Sequence, residues 1–151
     1  MSRTLVVGIG SLIMMDDGIG PRVAGAIKDR LQEHGIISVI GETDVQYCLN
    51  KIKKDDFLII IDAMMLDKEP GSIDIIPLQD AAKKHCSLHS QHDFSLVDAV
   101  SRDYSDIQGY LIGIEASEIG FGLGLSEPLR QGFDCICEYV FNASVKLNEA
   151  K

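Results

Sequence analysis

Three polar clusters in this chain fall just beyond apolar runs. Asp16 and Asp17 follow the glycine-bearing segment Gly8-Ile-Gly10, Asp62 closes Phe57-Leu-Ile-Ile-Ile61, and His89 and His92 lie in a polar stretch farther on. Two carboxylates and an imidazole make a mixed oxygen and nitrogen donor set. Such a set suits a borderline divalent ion such as nickel, zinc or iron and leaves positions open for another ligand. Each residue also has a plainer role. Adjacent acids before a helix complement the positive end of its dipole. Asp62 can be satisfied by nearby backbone amides, although an acid ending a buried run costs desolvation unless something binds it. A histidine in a polar loop is commonly solvated. Spacing alone leaves open Asp16 or Asp17, and His89 or His92; His34 and His85 are weaker candidates.

Other chemistries fit less well. Gly8 and Gly10 supply the first two glycines of a dinucleotide fingerprint, but Ile13 stands where the third belongs. The two acids that follow would repel a pyrophosphate. No GxSxG elbow is present for a serine nucleophile. Cys86 is near His85 and His89 only along the chain, which does not make a catalytic pair.

The elements that must position these groups can be read from apolar spacing. Thr4 to Gly10 is a β-branched run ended by glycines, a buried strand. Ile19, Val23, Ile27 and Leu31 recur at helical spacing, so a helix is expected over 18–33 with Pro21 in its first turn. Further strands are expected at 36–40, 57–61, 72–77 and 109–114, with Asp62 directly at the end of the third. Short helices are expected at 45–54 and 94–102, and residues 79–92 read as a loop with some helix. Residues 119–125 read as a glycine-rich loop. Ser126 reads as the N-cap of a last helix whose inner face carries Leu129, Phe133, Ile136, Val140 and Phe141. Strands alternating with helices imply an α/β fold: a doubly wound, mostly parallel five-stranded sheet with helices on both faces, three layers in all. Such folds bind ligands at the carboxyl ends of their strands, where the acids fall.

Composition bounds the partners. The 151 residues suit one domain spanning 1–151. At 46% apolar and 25% charged the balance is that of a globular protein. A net charge of −9 argues against nucleic acid and against an anionic membrane, and favours a cation or a basic peptide segment. The N-terminal apolar run is too short and too glycine-broken for a signal peptide, and no segment reaches membrane-span length. A cytoplasmic protein is expected, with its four cysteines reduced; Cys135 and Cys137 lie two apart on a helix and so diverge. No long apolar helix face is left over, so a monomer is expected.

The stretch from Gly8 to Gly20, Gly-Ile-Gly-Ser-Leu-Ile-Met-Met-Asp-Asp-Gly-Ile-Gly, with Val23, resembles the opening signature of the hydrogenase maturation proteases, GxGNxLxxDDGxGxxV. Phe57-Leu-Ile-Ile-Ile-Asp-Ala63, Glu69-Pro-Gly71, Ser90-Gln-His-Asp-Phe-Ser-Leu-Val-Asp-Ala99 and Gly113-Ile-Glu115 resemble later segments of that family, in the same order over nearly the whole chain. Ser11 replaces the usual Asn, and Gly41-Glu-Thr-Asp-Val-Gln46 replaces a more common Asp-Gly-Gly-Thr-like turn, a departure that bears on which hydrogenase is recognised. The resemblance implies a doubly wound α/β peptidase that trims the C-terminus of a nickel–iron hydrogenase large-subunit precursor. It implies Asp17, Asp62 and His92 as contacts to nickel carried by that substrate. Asp17 and Asp62 are then the candidate catalytic acids, in an aspartic-type or metal-assisted hydrolysis. Other readings are a different small α/β hydrolase, or a nickel-dependent docking factor that binds the precursor without cutting it.

Overall fold

The computed structural model describes residues 2–84 and 95–151. Five strands form one sheet: β1 (Thr4–Ile9), β2 (Ile36–Glu42), β3 (Phe57–Met64), β4 (Ile73–Pro77) and β5 (Gln108–Glu115). Their order is β2-β1-β3-β5-β4. The first four neighbours in that order run parallel, and only the edge strand β4 is antiparallel to β5. The expected mostly parallel five-stranded sheet is therefore what the chain builds.

Alternation along β3 explains the three layers. Ile59, Ile61 and Ala63 face a core built with Val23 and Ala24 of α1 (Ile19–Ala26) and with Leu129, Ile136 and Val140 of α6 (Glu127–Ala150). Leu58 and Ile60 face the other way. There they meet Cys48 of α3 (Val45–Lys51), Ala81 of α4 (Leu78–Lys84), and Val97 and Val100 of α5 (Leu96–Asp103). Successive strand residues point to opposite faces, so a fully apolar run can only be buried if both faces are covered. Leu58, Ile59, Ile60 and Ile61 are each completely buried, worth about 2 kcal/mol apiece as an upper estimate.

Three expectations are corrected. The helix over 18–33 is broken: a 3-10 turn (Met15–Gly18) precedes α1, and Ile27 separates α1 from α2 (Lys28–Gln32). The apolar face survives the break, because Ile19, Val23, Ile27 and Leu31 are all buried. Strand β3 also runs past Asp62 to Met64, since Ala63 and Met64 pair with Ile114 and Glu115 of the longer β5. Asp62 thus lies within β3, although β1 beside it has already ended at Ile9. The short helix expected over 45–54 stops at Lys51.

The amino edge is closed by a charge pair. Arg3 grips the buried Asp56 with two hydrogen bonds, Nε to Oδ1 at 3.0 Å and Nη2 to Oδ2 at 2.7 Å. The acids of interest lie at the opposite edge.

Candidate functional site

Strand order locates the crevice. From β1 the chain crosses by α1 to β2 on one side, then by α3 to β3 on the other side of β1. The direction of winding therefore reverses between β1 and β3, and open α/β sheets bind ligands outside the carboxyl ends at such a switch point. The loop after β1 carries Asp16 and Asp17, and β3 carries Asp62.

Glycines let the two meet. Gly10 has φ +138°, and a Cβ there would lie 1.8 Å from the carbonyl oxygen of Asp17, so the loop doubles back on itself only without a side chain. Gly20 opens α1 directly against the sheet; a Cβ would sit 2.4 Å from the carbonyl oxygens of both Ile9 and Ile61. Asp17 thus precedes by three residues the point where α1 touches the residue before Asp62. The glycines serve chain packing rather than a phosphate cradle: the Gly10 amide donates to the Glu42 carbonyl, and the Ser11 amide to Asp17 Oδ2 at 2.8 Å.

The adjacent acids have opposite environments. In a 3-10 turn neighbouring side chains diverge by about a third of a circle. Asp16 is turned inward and is completely buried. Its Oδ2 accepts from the amides of Ser117 and Glu118 at 2.9 Å each and from the Ser126 hydroxyl at 2.6 Å, and its Oδ1 accepts from the Ser126 amide at 2.8 Å. Ser126 does occupy the N-cap position of α6, but its side chain makes no cap hydrogen bond. Its hydroxyl goes to Asp16 because a charged acceptor makes the stronger bond. Asp17 is half-buried at the crevice.

Asp62 is likewise half-buried, and its Oδ1 accepts from the Ala63 amide at 2.8 Å. The backbone-satisfied role considered for this residue is therefore realised in part. Strand alternation puts Asp62 on the face of Leu58 and Ile60, the face covered by α3, α4 and α5. Because α5 is joined by residues 104–107 to the start of β5, its first residue lies at the carboxyl edge, on Asp62's side of the sheet. His92, like His85, Cys86 and His89, lies outside the described residues, three positions before the Ser95 N-cap of α5. Among the described residues no group of three or more His, Cys, Asp or Glu is placed to hold a metal ion. Asp17 and Asp62 supply two oxygen-bearing groups, which fits part of a borderline-metal donor set and needs a further ligand from elsewhere.

Glu115 has a role that sequence reading missed. It is 2% exposed, and both carboxylate oxygens accept from the Leu66 amide, at 3.2 and 2.9 Å. It clamps the loop that leaves β3. The signal was available: an acid closing the apolar run of β5 raises the same desolvation question as Asp62. Cys48 and Cys137 are poor nucleophiles. Burial, aided by Asp44, pushes the Cys48 thiol up to about 11, and burial, aided by Asp134, does the same at Cys137. Cys135 is exposed and Cys137 buried, diverging as their spacing requires. A cavity of about 570 Å³ lies at the amino edge, bordered by Phe57, Gln108 and Lys151. It is at the wrong end of the strands for the acids.

Comparison with known proteins bears on the family and the fold. The family model described as "Hydrogenase maturation protease" matches residues 21–143. The hydrogenase expression/formation protein HoxM of Azotobacter vinelandii is 30% identical over 134 residues, covering 83% of this chain and 64% of that protein. HupD of Thiocapsa roseopersicina is 32% identical over 140 residues, covering 84% and 61%. The chain thus spans a little under two thirds of the length of these relatives. The solved hydrogenase maturating endopeptidase HybD of Escherichia coli has the same fold, with a TM-score of 0.77 at 24% identity over 98% of this chain and 93% of that one. With more than half of its length matched by the family model, this chain belongs to the hydrogenase maturation protease family.

Proposed function

We propose that this chain is an endopeptidase that removes the C-terminal extension of a nickel–iron hydrogenase large-subunit precursor after nickel insertion, using the inserted nickel as its recognition element. One observation carries the reading. Of the acids at the carboxyl edge, Asp16 and Glu115 are buried against backbone amides, whereas Asp17 and Asp62 come from different elements and stay half-buried at the switch-point crevice. Membership of the family supports the substrate class.

In this reading Asp17, Asp62 and His92 contact the nickel of the loaded precursor. A permanent structural site would close with four protein ligands; three leave room for ligands that belong to the substrate. An unloaded precursor lacks the bridge and is not held. Hydrolysis then needs a base for the attacking water, and the carboxylate less engaged by the nickel serves as that base. The chain works as a cytoplasmic monomer, in a compartment that keeps thiols such as Cys48 and Cys137 reduced.

The test incubates the full chain with unprocessed large subunit, loaded or not with nickel, and reads the product mass. Only the loaded precursor is expected to shorten. Asp17→Asn, Asp62→Asn and His92→Ala should each slow shortening by roughly a hundredfold or more, with unchanged circular dichroism. Equal cutting of unloaded precursor would remove the nickel checkpoint. An intact precursor held in a complex would make the chain a docking factor, and full processing by His92→Ala would take that residue out of the site.

A further inference from the structure

The crevice has a rim whose composition does not suit water. Three backbone hydrogen bonds join the loop after β1 to the loop after β5: the Met15 amide to the Gly122 carbonyl at 3.1 Å, the Gly122 amide to the Ile13 carbonyl at 2.9 Å, and the Asp16 amide to the Glu118 carbonyl at 3.2 Å. The four hydrogen bonds of the Asp16 carboxylate pin the same second loop from beneath. The rim is therefore tied down, yet it holds Phe121 at 87% exposure, Leu123 at 84% and Ile13 at 50%. Scattered single apolar residues on a surface need no explanation; three on two stitched loops, beside the candidate acids, mark a contact surface.

Charge says what contacts it. Along residues 9–20 and 116–129 the charged residues are Asp16, Asp17, Glu118 and Glu127, with Arg22 and Arg130 just beyond. Asp16 is buried and Arg130 pairs with Glu127, so the rim takes its negative charge from Asp17 and Glu118. We propose that this Ile13–Phe121–Leu123 rim is the docking surface for a polypeptide segment of the precursor that presents apolar side chains flanked by basic ones. The proposal rests on the peptidase reading and adds the chemistry of the segment held. The apolar side chains of the partner cover Phe121 and Leu123, and its cations face the acids of the crevice, which accelerates encounter and rejects acidic segments. Asp16 has a second consequence here: by holding the 116–126 loop, it fixes the segment that carries Phe121 and Leu123.

The test compares the full chain with Phe121→Ser/Leu123→Ser and with the conservative pair Phe121→Leu/Leu123→Met. Binding and processing of nickel-loaded, unprocessed large subunit from the same organism are measured, with light scattering for oligomeric state. The serine pair should weaken binding about tenfold or more and raise KM with kcat kept, while the conservative pair stays within about threefold. Because both positions are exposed, the melting temperature should not fall. Wild-type binding by the serine pair overturns the docking surface and leaves the peptidase reading intact. If the wild-type chain binds without cutting, the peptidase reading fails and the serine pair still decides the rim; if it does neither, both fail. A wild-type dimer that becomes monomeric in the serine pair would show that a second copy covers the rim, and would overturn the proposal.

Discussion

Asp16 and Asp17 are neighbours in sequence and opposites in environment. The first is sealed under the loop after β5 with four hydrogen bonds to its carboxylate; the second stands half-buried at the crevice mouth. The same contrast recurs on the sheet itself, where Glu115 is buried on the Leu66 amide and Asp62 is half-buried across from Gly113. A carboxylate with its acceptor sites filled by backbone amides is fixed in place and closed to a ligand. One at the margin of a strand end keeps access to solvent and to whatever docks there. Four acids of one chemical type thus divide into two that build the site and two that face it.

That division can be broken by substitution. The largest effect is expected at Asp16→Ala, which leaves the buried amide and hydroxyl of Ser126 and the part-buried amides of Ser117 and Glu118 without their acceptor; about 4 kcal/mol of stability should be lost, read by urea unfolding. A loss below about 1 kcal/mol would deny Asp16 its structural role. Next come Asp17→Asn and Asp62→Asn, expected to cost roughly a hundredfold in precursor processing, near 2.7 kcal/mol, while the urea midpoint shifts little. Unfolding of either variant would place that acid with Asp16 instead. Glu115→Ala should cost about 2 kcal/mol, with faster hydrogen exchange at the Leu66 amide as the local readout. The smallest effect at neutral pH concerns the thiols. Cys48 and Cys137 are raised from an ordinary 9.0 to about 11 by burial. The stability of the folded chain is therefore undiminished by these groups below pH 9 and falls as the pH rises to about 11, by about 2 kcal/mol for each thiol. Cys48→Ala should flatten that part of the pH profile in denaturant titrations, and an unchanged slope would assign the loss to other groups.

Much of the fold was legible because its signals are local. The run Phe57 to Ile61 has no polar residue to turn toward water, so it reads as a strand covered on both faces, and it is. The spacing of Ile19, Val23, Ile27 and Leu31 gives the buried face correctly even though the helix breaks at Ile27. The break itself was not legible, because periodicity of apolar residues survives a one-residue interruption. The end of β3 was misplaced for a different reason: an aspartate after an apolar run looks like a terminator, but β5 continues far enough to pair Ala63 and Met64. At the candidate site, acid-rich positions were visible and their division of labour was not. Spacing left Asp16 and Asp17 equivalent, since what separates them is a 3-10 turn and the amides of residues a hundred positions away.

The chain by itself determined which segments must be buried, that they alternate as strands and helices, and which acids lie beside them, since all three follow from residue type and period. Only the tertiary structure decided that winding reverses between β1 and β3, that Asp16 is spent on holding the 116–126 loop, and that Phe121 and Leu123 remain uncovered. Those outcomes depend on contacts between residues distant along the chain, which local propensity and periodicity do not encode.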